Sequence, residues 1–208
     1  MASPVGRGGR SDAADPYLYP GTDVLRNRFG VRDAAALRLL EYAATAQRAA
    51  SAPVFPPTVA GLLATHRHPF GDVYAWAGTP RTVEVAKGAA RFASAAFVAG
   101  GLERRFRDLE AAGALRGLDA DAFATGAAHH ASEVNAIHPF REGNGRTTRL
   151  HLKHLASLAG HDLDLTRIPA AEWIAASVES FGRGDERRMT AVIRGALVGR
   201  TGPAAGGA

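Results

Sequence analysis

The chain contains no cysteine, and this absence excludes two classes of architecture. Neither a disulfide framework nor a thiolate zinc site can be built, and the composition is compatible with a cytosolic setting. No apolar run approaches the roughly 18 residues that a transmembrane helix needs. The first residues contain arginines but no apolar core behind them, so they do not form a secretory signal peptide. We therefore expect a cytoplasmic protein with no membrane partner.

Lysine is also scarce, because only Lys87 and Lys153 occur among the 25 lysine and arginine residues. The formal net charge of +5 therefore comes from arginine. One interpretation is a basic surface for nucleic acid or another anion, and the other is a genomic composition that favours arginine and alanine together. The arginines are scattered, without the concentrated stripe and interleaved aromatics of a nucleic-acid surface. We expect no direct nucleic-acid partner.

Strand-forming residues are sparse and alanine is abundant, so the composition favours helices. The chain has 208 residues, enough for one domain with a sizeable core. We place that domain at 16–198 and expect the Gly- and Ala-rich tails, 1–15 and 199–208, to be disordered. The hydrophobic periodicity and the capping residues predict seven helices. They follow Asp33, Thr58, Gly100, Asp119 or Asp121, Gly145, Pro169 and Asp185, and the last is predicted to continue through AVIRGALVG.

One segment departs from the helical pattern. Residues 80–94 begin with the alternation Thr82-Val83-Glu84-Val85, and Lys87-Gly88 follows as a turn signal. This pattern predicts a short β-hairpin, and a structureless surface loop is the alternative.

The tripeptide HPF occurs twice, in different settings. The first copy, His68-Pro69-Phe70, is followed by an aromatic and apolar stretch that includes Tyr74 and Trp76. Large aromatic side chains bury much area, so this copy is expected to serve packing. His66 and His68 are two residues apart, but a pair without a convincing third ligand is weak evidence for a metal site.

The second copy opens the stretch HPFREGNGRTTR, residues 138–149. The glycines on both sides of Asn144 allow backbone N–H groups to turn inward as an anion-binding nest at a helix start. Arg146 and Arg149 are three residues apart, so both can lie on one helix face above it, where arginine forks match phosphate oxygens. Glu142 beside a phosphate suits Mg²⁺, and His138 is the one group in this stretch that can exchange a proton near neutral pH.

HPFREGNGRTTR matches every position of HPFx[D/E]GNGRxxR, and the chain therefore resembles the Fic domain family. Residues 17–33, 66–88 and 181–189 also look like bacterial Fic proteins, so the resemblance spans about 16–198. It implies an all-α Fic fold, a helical bundle with a β-hairpin flap over the active site. It further implies a protein adenylyltransferase, which transfers AMP from ATP to a hydroxyl side chain of a target protein.

The resemblance also implies a role for each motif residue. His138 is the implied general base, and Glu142 is the implied Mg²⁺ ligand. The implied ATP-binding residues are Gly143, Asn144, Gly145, Arg146, Thr147, Arg149, Lys87 and Gly88. The segment Thr82, Val83, Glu84 and Val85 is the implied flap, which holds the target by main-chain pairing. Gly145 stands where a phosphorylating branch of the family has lysine, which favours nucleotidyl transfer.

Many members of the family are inhibited by a glutamate in the pattern [S/T]xxxE[G/N], which pairs with the second motif arginine, here Arg149. No serine or threonine in these 208 residues is followed four positions later by glutamate. The resemblance then points to a toxin restrained in trans by a small helical antitoxin that carries this pattern, or to no such inhibition. Type II topoisomerase subunits are candidate targets by the same resemblance.

Two other functions stay open at this point. A metal-dependent hydrolase could draw on His129, His130, His138, His151 and His154, of which the last two form an HxxH pair. A catalytically silent nucleotide-binding module is the other alternative, although His138 and Glu142 are both intact.

Overall fold

The computed structural model describes residues 15–88 and 90–199. Helices dominate this part of the chain, and four very short strands accompany them. The helices are α1 (Ala34–Ala50), α2 (Val59–Phe70), α3 (Val98–Ala111), α4 (Ala120–Ile137), α5 (Asn144–Ala159), α6 (Ala170–Arg183) and α7 (Arg187–Ala196). The prediction of an all-α protein with a small hairpin is confirmed.

Local side-chain caps explain where several helices begin. Asp33 accepts the N–H of Ala36 at 2.7 Å, and Thr58 accepts the N–H of Gly61 at 3.0 Å. Asp119, rather than Asp121, caps α4. Each cap satisfies an N–H group that has no partner inside its helix.

Helix α4 lies at the centre of the bundle and packs against α3, α5, α6 and α7. Its inner face carries the fully buried alanines Ala124, Ala127, Ala128 and Ala131. Because alanine side chains are small, neighbouring helices approach α4 closely, and this fixes the direction in which its C-terminal end points. A second, smaller core joins α1 to α2 through Leu37 and Phe70.

The strands form two small antiparallel pairs. The hairpin pairs β1 (Ala86–Lys87) with β2 (Ala90–Arg91). Its strand pairing therefore begins just after Thr82–Val85, the segment in which the alternation placed a strand. The second pair joins β3 (Asp162–Leu163) to β4 (Leu197–Gly199). The prediction that the last helix continues through this segment was wrong, because pairing with β3 draws the backbone into an extended form after Ala196.

The two ends of the described chain are tied to the domain. Asp15 accepts a hydrogen bond from Arg141 at 3.0 Å, and Gly199 pairs with Asp162. The predicted disorder of the tails otherwise concerns residues outside the described range. Among the described residues, none of the helices combines the length and the apolarity that a membrane crossing requires.

Candidate active site

The HPF-to-arginine motif forms the connection between α4 and α5. Helix α4 ends at Ile137 and is capped by His138, whose backbone adopts the left-handed conformation (φ 50°) while its N–H donates to Val134 O at 3.0 Å. The chain then turns sharply, and α5 begins at Asn144. The helix end and the helix start therefore bring the imidazole of His138 and the free N–H groups of α5 into one region.

The turn between the helices is held by Asn144. Its Oδ1 accepts the N–H of Phe140 at 2.8 Å, and its Nδ2 donates to Phe140 O at 2.7 Å. Gly143 has φ 83°, and a Cβ there would lie 2.3 Å from Cζ of Phe70. Glycine at position 143 is thus required both by the backbone and by the packing of Phe70 beneath the loop.

His138 is held in one tautomer. Its Nδ1 lies 3.3 Å from Asn135 O, and because a carbonyl oxygen can only accept, Nδ1 must carry the hydrogen. The lone pair is therefore on Nε2. Phe92, just after β2, stacks on the imidazole with ring centroids 3.7 Å apart and an interplanar angle of 13°. Burial lowers the pKa of His138 to about 4, although the hydrogen bond to Asn135 O acts in the opposite direction and raises it. The ring is therefore neutral at physiological pH.

Glu142 lies within this turn and is partly exposed. Its Oε1 accepts the N–H of Gly143 at 2.8 Å and lies 3.5 Å from Arg146. Its Oε2 makes no hydrogen bond to the described residues. A carboxylate oxygen at a helix start beside arginines fits a hard cation that binds together with phosphate, so the residues present suit Mg²⁺.

The two motif arginines have different surroundings. Arg146 pairs with Glu41 of α1, donates to Thr45 Oγ1 at 3.2 Å and covers the ring of Phe70 at 4.7 Å. Arg149 is half-buried and has no salt bridge within the described residues. Burial lowers the pKa of Arg149, and the charge of Arg146 adds to this effect.

The hairpin is anchored to the same backbone as His138. Arg81, which is 2% exposed, donates to His138 O at 2.7 Å, to Ile137 O at 3.2 Å, to Val83 O at 2.7 Å and to Ala93 O. Beyond this anchor, Glu84 accepts from Ser94 Oγ at 2.8 Å and closes the base of the hairpin.

The segment predicted to dock a target, Thr82–Val85, lies at the start of this hairpin. Lys87 ends β1, and its charge contributes to the low pKa of His138. Gly88 has φ 60°, the left-handed turn conformation. The hairpin, His138 and the start of α5 thus surround one region.

The first HPF copy is part of the core beneath the site. Phe70 and Tyr74 are 1% exposed, as the sequence indicated. His66 stacks against Phe140 at 3.8 Å and, as a donor, bonds Glu142 O at 3.1 Å through Nε2. Burial lowers the pKa of His66 to about 3. This imidazole therefore supports the motif loop and does not face the region in front of it.

Comparison with known proteins agrees with this geometry. Residues 56–156 match the sequence model of the Fic/DOC family. A Sinorhizobium fredii protein named "Probable protein adenylyltransferase y4lH" is 40% identical over 182 residues, covering 86% of this chain and 94% of that protein. A Salmonella typhimurium protein named "Probable protein adenylyltransferase Fic" is 36% identical over 189 residues, covering 89% and 94%. This chain belongs to the Fic/DOC family.

The fold agrees with solved Fic structures. The crystal structure of the BepC protein from Bartonella tribocorum, which holds AMPPNP, superposes with a TM-score of 0.82 at 25% identity. The match covers 89% of this chain and 97% of that one. The Fic fold predicted from the sequence is therefore confirmed.

The surroundings of the other motif residues differ. The side chain of Asn144 bonds to the backbone of Phe140, and its backbone N–H lies in the first turn of α5. Thr147 is 1% exposed, so its hydroxyl is not presented on the surface. Arg146 is paired with Glu41 and stays about one-third exposed. Gly145 is exposed, and a Cβ there would meet Trp173 Nε1 at an ordinary 3.6 Å.

The histidine set of the alternative hydrolase does not converge. Within residues 15–88 and 90–199, no group of three or more potential metal ligands is present. His151 and His154 are both buried, at 0% and 3% exposure. The rings of His130 and His151 lie 5.3 Å apart in the core.

The sequence analysis missed three residues of this Fic site. Glu41, Arg81 and Phe92 lie outside the motif, and each reaches it only through the tertiary fold. The sequence carried one signal, since Glu41 follows Leu37 by one helical turn and therefore lies on the same buried face of α1.

Proposed function

We propose that this Fic protein transfers AMP from ATP to a hydroxyl side chain of a target protein. In this reaction the hydroxyl oxygen bonds to the α-phosphorus, the bond to the β-phosphate oxygen breaks, and pyrophosphate leaves. The hydroxyl proton passes to Nε2 of His138. The relatives named as adenylyltransferases support this activity, and the family makes the protein a nucleotidyltransferase.

The observation that carries the proposal is the state of His138. A general base must be unprotonated and must hold its lone pair towards the substrate. The bond to Asn135 O fixes the hydrogen on Nδ1, and burial keeps the ring neutral. A silent nucleotide-binding module has no need of an imidazole prepared in this way.

The start of α5 supplies the counterpart for ATP. Its free N–H groups and the positive end of its dipole suit phosphate, and Arg149 adds a charge that no acidic side chain in the described structure neutralises. Glu142 is the proposed ligand of Mg²⁺, which when bound neutralises phosphate charge. Lys87 and Gly88 close the region from the hairpin side.

The hairpin is the proposed docking element for the target. An exposed strand edge holds an extended segment by main-chain hydrogen bonds, and this orients one hydroxyl for in-line attack. Because Arg81 ties the hairpin to the backbone of His138, the docked hydroxyl and the base share one frame.

The proposed physiological role is that of a cytoplasmic toxin. The [S/T]xxxE[G/N] pattern is missing from these 208 residues, and among the residues that the structure describes no acidic side chain pairs with Arg149. A small helical antitoxin that carries the pattern would supply the glutamate in trans. A type II topoisomerase subunit is the proposed target class.

Expressed alone, the protein should slow growth, and His138→Ala should relieve this effect. A co-expressed antitoxin should restore growth unless its glutamate is changed to glycine.

The decisive experiment labels a host lysate with ATP that carries the label on the α-phosphate, with γ-labelled ATP as the parallel arm. We expect a labelled protein band with the first and none with the second, and mass spectrometry should find AMP on a hydroxyl side chain. His138→Ala is the control and should remove the band. Labelling from γ-labelled ATP would show phosphoryl transfer and overturn the proposal.

A further inference from the structure

An unpaired indole lies beside the start of α5. Trp173 belongs to α6, is 6% exposed and packs its ring in the main core. Its Nε1 donates no hydrogen bond to any of the described residues. A buried indole N–H usually has a partner, because leaving it without one costs free energy. The unpaired donor of Trp173 therefore points to a group that this part of the chain does not itself supply.

The edge of the indole that carries the N–H faces Gly145, the second residue of α5. A Cβ at position 145 would lie 3.6 Å from Nε1 and 4.0 Å from Cδ1 of Trp173. Apart from the neighbours of Gly145 in the chain, no other atom of the described residues would come within 4 Å of that Cβ. Because glycine has no side chain, the space between the helix start and the indole N–H stays open.

Other hydrogen-bond donors border this space. The backbone N–H groups of Asn144, Gly145 and Arg146 have no partner among the described residues, as expected for the first turn of a helix. The dipole of α5 adds positive potential at the same end. Donors without an acceptor in the protein are satisfied by an anion with several oxygens, and phosphate is the anion of this kind that helix starts bind. The indole N–H is one further donor for such a group.

We propose that Trp173 is a nucleotide-binding residue, whose indole N–H donates to a phosphate oxygen of the nucleotide at the start of α5. This inference rests on the proposed function, because that function places the phosphates of ATP there. It adds α6 to the phosphate site and supplies a donor from outside the motif.

The test compares Trp173→Phe with Trp76→Phe in the full chain. The chain has two tryptophans, and Nε1 of Trp76 is enclosed without a partner beside the smaller core. Each substitution keeps an aromatic ring and removes one indole N–H. Trp173→Phe should weaken the binding of Mg²⁺–ADP and of inorganic pyrophosphate about tenfold, measured by calorimetry, because a hydrogen bond to a charged group is lost. Trp76→Phe should leave both affinities unchanged.

Adenosine separates a phosphate contact from a contact with the nucleoside. Its affinity, followed by NMR titration, should be the same in the wild type and in Trp173→Phe. An equal loss for adenosine and for ADP would show that the indole serves the sugar or the base, which overturns the inference. Unchanged affinities for ADP and pyrophosphate in a folded Trp173→Phe variant would overturn it as well.

The indole signals give a direct readout that needs no change at position 173. Each tryptophan contributes one indole signal to the ¹H–¹⁵N spectrum, and Trp76→Phe assigns the two. Because a hydrogen bond to an anionic oxygen deshields the proton, the Trp173 proton should move downfield on addition of Mg²⁺–ADP or pyrophosphate, and that of Trp76 should not. A purely structural Trp173 would not show this shift. Its absence at saturation would refute the contact even if Trp173→Phe does not fold.

The two proposals fail separately. If no target in the lysate is labelled but Trp173→Phe weakens the binding of ADP and pyrophosphate, the transfer reaction is refuted and the phosphate contact stands. If labelling occurs while these affinities and the indole signal do not change, only the phosphate contact is refuted. A wild-type protein that binds neither ADP nor pyrophosphate would refute the contact whatever the labelling shows.

Discussion

Removing the ring of Phe92 should change the acidity of His138. The phenyl ring covers one face of the imidazole at 3.7 Å, and burial is the largest cause of the low pKa of about 4. Phe92→Ala admits water to that face, so the charged imidazolium is better solvated. We expect the pKa of His138 to rise by at least one pH unit in the variant, while the nearby charges of Arg81 and Lys87 keep it below the ordinary value.

The size of the effect follows from the two protonation states. At pH 5.5 a histidine with the ordinary pKa of 6.5 is about one-tenth neutral, whereas one with a pKa of about 4 is almost entirely neutral. The fraction of enzyme with a competent base therefore differs about tenfold between these limits. The ratio kcat/KM reports the protonation state of the free enzyme. It should not change between pH 8 and 5.5 in the wild type, and it should fall towards pH 5.5 in Phe92→Ala.

The assay is NMR titration of the histidine ring signals, with His138→Ala to assign the signal of interest. Phe97→Ala is the matched control, because Phe97 is 71% exposed in the same segment and its loss should leave the titration unchanged. Near-UV circular dichroism at each pH verifies the fold. A wild-type midpoint near 6.5, or an unchanged midpoint in Phe92→Ala, would refute the link between Phe92, burial and the state of the base.

Three further predictions concern the base, the motif glycines and the buried histidines. His138→Ala should lower the transfer rate by about 10² to 10⁴-fold without loss of ATP binding, whereas His68→Ala should lose activity only as far as its thermal stability falls. Gly143→Ala should lower the free energy of unfolding by about 2 to 5 kcal/mol, because position 143 has a positive φ and its Cβ would overlap Phe70. Gly145→Ala should change that free energy by no more than about 0.5 kcal/mol. Equal losses in denaturant unfolding would contradict the packing described. Because burial lowers the pKa of His151 to about 3, the unfolded chain binds more protons below pH 6.5, so stability should fall as the pH drops through that range. Between pH 7.5 and 5, the free energy of unfolding should fall by about 2 kcal/mol less in His151→Leu than in the wild type, as measured by denaturant unfolding. An identical pH dependence in the two proteins would exclude this histidine as the cause.

The sequence predicted those parts of the molecule that depend on neighbours along the chain. The caps Asp33 and Thr58 act within three residues, and the motif from His138 to Arg149 is contiguous, so short-range pattern was sufficient for both. The strands of the hairpin begin after the segment in which the alternation placed them, because that segment is held by Arg81 and Glu84 and not by strand pairing.

The contacts that complete the site join distant segments. Glu41 meets Arg146 across 105 residues, and neither helix shows in its own sequence which partner it will meet. The burial of His151 and His154 could not be predicted from the sequence for a related reason. An HxxH pair looks alike on an exposed and on a buried face, and only the packing of α5 against its neighbours decides between them.

Arg81 has a consequence for how this enzyme can diversify. Its guanidinium is bonded to main-chain carbonyl oxygens, among them those of Val83, Ala93 and His138, and every amino acid supplies such an oxygen. The side chains of the hairpin are therefore interchangeable as far as this linkage is concerned. If the hairpin docks the target as proposed, new target preferences can arise by substitution there while His138 and the start of α5 keep their relative placement, so recognition and reactivity are free to evolve independently.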